Sequence, residues 1–129
     1  MGDSAEGFAM DAMAKFVSDH NVARFVDQLR SQNDPAKRTV LQRLLFEEIH
    51  KFGFNFEQLS LVDRQISEAK DRIRAQRDII ERLRIKGLDT KRAESLLRNL
   101  VAIQEMFEEC RLVVLDFINE NGRNPSGLS

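Results

Sequence analysis

The chain has no tryptophan and no tyrosine, and few of the residues that punctuate or staple a fold: one cysteine, two prolines, six glycines and two histidines in 129 residues. A single thiol rules out an internal disulfide framework, and two histidines leave few ligand sets for a metal. So few turn-formers argue against a β protein, whose reversals need glycine and proline. No run approaches the ~18–20 uninterrupted apolar residues that cross a bilayer. Neither sign of charge dominates: 20 Lys plus Arg against 21 Asp plus Glu leave −1, without the basic excess of a dedicated nucleic-acid binder. A Gly-rich phosphate loop, a paired-cysteine metal motif, a Gly-x-Ser-x-Gly elbow and an EF-hand loop are all missing. The expectation is a protein that is not an enzyme, with no cofactor, no metal and no small-molecule substrate.

What is present is a folded-chain composition, 42% hydrophobic and 32% charged, in a length suited to one domain. Met1-Gly2-Asp3-Ser4-Ala5-Glu6 lacks the basic and apolar regions of a secretory signal, and Glu6 stands where a myristoylation motif has Ser or Thr. A cytoplasmic protein with a reduced thiol and no membrane partner is expected. Residues 1–7 are expected to be disordered, 8–120 to form one helical domain, and 121–129 to be a disordered tail.

Phe8, Ala9, Ala12, Met13, Phe16 and Val17 recur at helical spacing, and Asn21 can cap a second short helix bearing Val22, Phe25, Val26 and Leu29. Asp34-Pro35 is a strong helix start, followed by a stripe of Val40, Leu41, Leu44, Leu45, Ile49 and Phe52 over residues 35–52. Asn55, with Gln58 three residues on, marks the next start.

Two long series follow. Leu59, Val62, Ile66, Ala69, Ile73, Gln76, Ile80 and Leu83 alternate steps of three and four residues, and so do Ala93, Leu96, Leu100, Ile103, Phe107, Cys110, Val114 and Phe117. That is the a/d spacing of paired helices. Gly87 suits a left-handed helix end, and Asp89 or Thr90 can cap what comes next. The spacing therefore predicts an antiparallel coiled-coil hairpin over residues 55–120, with helices at 55–87 and 89–120. The fold class is an all-α helical bundle: this hairpin, a third amphipathic helix and short N-terminal helices. The second long helix is apolar beyond its seam, and the 35–52 helix is expected to cover part of that surplus.

The candidate interaction surface is Phe46, Leu97, Val101, Met106, Val113 and Ile118, apolar positions outside the seam or on the outward side of the third helix. Cys110 and Gln76 sit in the seam, one as a core thiol and the other as a register-setting polar residue. Glu48 falls within an apolar stripe and calls for an Arg or Lys partner. Glu47-x-x-His50 has di-iron spacing but lacks the second pair such a site needs. Counted from Leu41, nine residues at roughly 100° each place His50 on the outward face. An exposed helical histidine resembles that of histidine phosphotransfer domains; their Lys and Gly follow it here as His50-Lys51-Phe52-Gly53, closer than in that family. His50 is the candidate phosphoacceptor on this alternative reading.

Residues 70–92 hold nine basic and four acidic groups, +5, whereas 1–34 and 93–129 each give −3. A second alternative is nucleic-acid or acidic-surface binding through this stretch, although interleaved carboxylates favour a solvated face and no aromatic there offers base stacking. Asn21-Val22-Ala23-Arg24-Phe25, Asp34-Pro35-Ala36-Lys37-Arg38 through Leu44-Leu45, and Gly87-Leu88-Asp89-Thr90 through Leu96-Leu97 resemble small all-helical bacterial proteins of uncharacterised function. The resemblance spans about residues 21–118 and implies an all-helical cytosolic bacterial protein, with no site attached. The expected function is a helical protein–protein interaction or regulatory module, self-associating as a homo-oligomer, with bacterial signalling as a setting.

Overall fold

A computed structural model describes residues 3–51 and 53–123. It is all-α, with helices α1 (Asp3–Ser31), α2 (Pro35–Ile49), α3 (Phe56–Ile85) and α4 (Lys91–Arg123), and no strand among the described residues. Phe52, residues 1–2 and the tail from 124 onward, all covered by the expectations above, lie outside the described residues.

α3 and α4 form the predicted antiparallel hairpin. Val62, Ile66, Ala69, Ile73, Gln76 and Ile80 of α3 are buried, as are Leu100, Ile103, Phe107, Cys110 and Val114 of α4. These are eleven of the sixteen positions the three-four spacing selects; Leu59, Leu83, Ala93 and Leu96 are half-buried, and Phe117, expected in the seam, is 42% exposed at the end of the hairpin. Antiparallel pairing is visible in two ion pairs across the hairpin: Arg84–Glu94 at 3.1 Å near the turn and Arg111–Asp63 at 2.8 Å toward the other end. α3 ends in a Schellman motif. The Leu88 amide donates to the Leu83 carbonyl (2.9 Å) and the Gly87 amide to that of Arg84 (3.0 Å), with Gly87 at φ +69. Asp89 Oδ1 accepts from the Lys91 amide at 3.0 Å and opens α4. At the far end, Asn55 Oδ1 accepts from the Gln58 amide (3.0 Å) and caps α3.

The N-terminal third differs from expectation. Instead of two short helices there is one, α1, beginning at Asp3, upstream of the Phe8 start expected from sequence, and running through Asn21. Ser18, Val22, Val26 and Leu29, spaced four, four and three apart, form one buried row across the supposed junction. With no proline or glycine between them, nothing stops the helix there. Asn21 caps nothing; its side chain reaches to α2. Met13, Phe16 and Val17, part of the first expected stripe, lie roughly opposite that row and are 69%, 75% and 51% exposed.

A second correction concerns layering. α2 was expected to cover α4; it packs chiefly on α1, and α1 lies on α4. A 29-residue α1 is long enough to cover the surplus face of α4, and the short link at 32–34 turns α2 back along it. Arg38 fixes that corner: its Nη1 donates to the carbonyls of Leu29 (2.7 Å) and Gln32 (2.8 Å), taking up acceptors that the end of α1 leaves free. Asn99 of α4 ties in the same corner, donating to the Arg30 carbonyl (2.9 Å) and to Asn33 Oδ1 (3.0 Å). All four helices meet in one core of Val22, Val26 and Leu29, Leu45 and Ile49, Val62 and Ile66, and Ile103, Phe107 and Cys110.

Candidate interaction surfaces

His50 does not stand on an outward face. α2 stops at Ile49, and His50 is its C-cap at φ −97, ψ 10, so an angle counted along an ideal helix no longer places its side chain. Gly53, at φ +94, turns the chain back and brings Phe54 against the imidazole. The ring lies between Phe46 (centroids 4.3 Å apart) and Phe54 (4.6 Å), and Phe54 in turn meets Phe117 of α4 at 5.2 Å. Both ring nitrogens are buried and have no hydrogen-bond partner among the described residues. Burial holds the imidazole pKa below its usual value. Phosphoryl transfer needs a nitrogen open to an incoming aspartyl phosphate, and this packing covers both.

Glu48 is half-buried, and its partner is not a cation. Asn21 Nδ2 donates to its Oε1 at 3.1 Å, while Ser18 Oγ donates to its backbone carbonyl at 3.4 Å, so a neutral amide from α1 meets the carboxylate. Cys110 is 2% exposed, and desolvation, reinforced by Glu109, pushes its thiol up to about 11. It is a protonated core residue at neutral pH. Gln76 Nε2 donates to the Ala93 carbonyl at 2.9 Å, a seam amide gripping the first turn of α4. Among the described residues, no three His, Cys, Asp or Glu side chains are grouped to hold a metal ion.

The six residues proposed as a surface divide. Phe46 and Val113 are each 42% exposed. Leu97, Val101 and Ile118 are half-buried, and Met106 packs against the common core. More exposed than any of these are Met13, Phe16 and Val17 on α1, Phe56 (70%) at the start of α3 and Leu112 (60%) on α4, none of them in that surface as the sequence suggests it; Phe117 matches Phe46 and Val113. The Lys15–Glu57 ion pair and the Phe54–Phe117 ring contact bring the first half of α1, the start of α3 and the last turns of α4 to one end of the bundle. We call this the open end; the α3–α4 turn is the tip. A signal for the open end was present in the sequence, since Met13 and Val17 are four apart and out of phase with Val22 and Val26.

Clefts elsewhere are shallow and chemically plain. One of about 390 Å³ lies at the α1–α2 corner between Arg30, Asn33, Arg92 and Asn99. Another of about 660 Å³ lies along the hairpin by Asp63, Lys70, Glu108 and Leu112. Neither is lined by a histidine or cysteine. Comparison with protein-family models, curated proteins and solved structures finds no match to this chain.

Proposed function

We propose that this protein is a non-enzymatic interaction module that associates with a second copy of itself through the open end of the bundle, as a regulatory protein of bacterial signalling. The observation that supports this reading is the exposure of Met13, Phe16, Val17 and Phe56, with Phe117, at the open end that the Lys15–Glu57 and Phe54–Phe117 contacts define. Four large apolar side chains at or above half exposure, gathered at one end, exceed the scattered apolar residues that any soluble surface carries. Phe16 and Phe56 are the anchors, since aromatic side chains contribute most per contact at interfaces. Docking is helix to helix, with α1 supplying an outward stripe at helical spacing.

Light scattering on the purified chain tests it. The mass should exceed the 14.9 kDa of one chain, and Met13→Ser with Phe16→Ser should return it to that value without loss of helicity, because both positions are exposed. A monodisperse 14.9 kDa species across micromolar concentrations refutes self-association.

A further inference from the structure

The tip is the other place where apolar side chains stand in solvent. Ile85, the last residue of α3, is 77% exposed, and Leu88, just past Gly87, is 55% exposed. Arg82, Arg84, Lys86, Lys91 and Arg92 flank them in the chain, all exposed, as is Glu81. Of these only Arg84 has a carboxylate partner among the described residues, Glu94 at 3.1 Å. Asp89 is engaged by its bond to the Lys91 amide. The tip thus presents two exposed aliphatic side chains in a stretch rich in cations, most of them without a carboxylate partner among the described residues.

We propose that the hairpin tip docks on an anionic phospholipid bilayer, with Ile85 and Leu88 entering the headgroup–acyl boundary and Arg82, Lys86, Lys91 and Arg92 lying at the phosphates. No helix of the described chain is long and apolar enough to cross a membrane, so the contact is peripheral. Aliphatic insertion combined with a basic collar is the chemistry such a surface recognises, and long basic side chains keep their charge at the interface while their stems follow the apolar pair inward. Charge also orients the molecule. Arg82, Arg84, Lys86, Lys91 and Arg92 outnumber Glu81, Asp89 and Glu94 around the turn, so an anionic surface attracts the tip. Nucleic acid accounts for the cations but not for Ile85 and Leu88, since no aromatic in 70–92 offers a stacking platform. The open end remains free for the association proposed above, and the two surfaces are independent.

Flotation of the full chain with vesicles tests this, using roughly one-third phosphatidylserine in phosphatidylcholine against phosphatidylcholine alone at about 0.1 M salt. Binding to the anionic vesicles only is expected. Ile85→Ser with Leu88→Ser should weaken it by about tenfold or more. Lys86→Glu with Arg92→Glu should weaken it at least as much. Because the chain has no tryptophan, Leu88→Trp provides a single reporter whose emission should shift to the blue on anionic vesicles. Unchanged circular dichroism verifies that the variants fold. The proposal is overturned by absence of binding, by equal binding to neutral vesicles, or by a serine double variant that binds as the parent does. It is also overturned if a short single-stranded RNA binds more tightly than the vesicles and is indifferent to the serine changes, which would assign the basic collar to nucleic acid.

Discussion

At His50 an aromatic enclosure holds the imidazole neutral, and folding stability should register this. Desolvation lowers the pKa of the folded state below the 6.5 of a free histidine. The unfolded chain therefore takes up a proton first as pH falls. The contribution of His50 is fully present above about pH 6.5 and is lost as pH falls through that value toward the folded pKa. Denaturant midpoints at pH 7.5 and 5.5 should show the parent losing stability over this interval and His50→Leu losing less. Identical slopes would mean that the ring is solvated. Cys110 and Gln76 were readable from the seam spacing alone. The setting of His50 was not, because it depends on Phe54 and Phe117, residues brought to it by a chain reversal and by another helix. The partner of Glu48 was not legible for a related reason: only a helix that runs on through Asn21 turns its amide toward α2, and a cap at Asn21 would use that side chain locally.

Among the elements, the α3–α4 turn agrees most closely with the sequence. Gly87 occupies the left-handed position of the Schellman motif, and a Cβ there would meet nothing within 4 Å. Gly87→Ala should therefore cost only the backbone penalty, about 1–2 kcal/mol, without a steric addition. Urea denaturation measures it. A loss of about 4 kcal/mol or more would reveal a hidden clash, since that size belongs to core disruption rather than backbone strain. α1 is the element read least well. Its inward row and outward stripe are both apolar, so periodicity alone could not say which faces the core. An asparagine that suits a cap does not end a helix whose buried row continues past it.

In the whole molecule, Phe107 is fully buried in the core shared by all four helices. Phe107→Ala should cost about 3–5 kcal/mol by removing contacts on every side. Leu112→Ala, at a position 60% exposed, should cost less than about 0.5 kcal/mol. Both variants should unfold in one transition. A separate early melting of α1 and α2 would show that the N-terminal helices do not share the hairpin core. The uneven charge, concealed in a net of −1, is visible when the sequence is divided into segments, with +5 over residues 70–92.

The sequence by itself determined the helical class, the hairpin, the central part of its seam, its turn and the uneven charge, because each follows from spacing or composition within a continuous stretch. Tertiary structure alone decided that α1 rather than α2 covers α4, that Met13, Phe16 and Val17 face outward, and that His50 is enclosed. Those outcomes depend on which apolar faces compete for the same buried area. That competition is settled only when separated helices meet, so no local spacing encodes it.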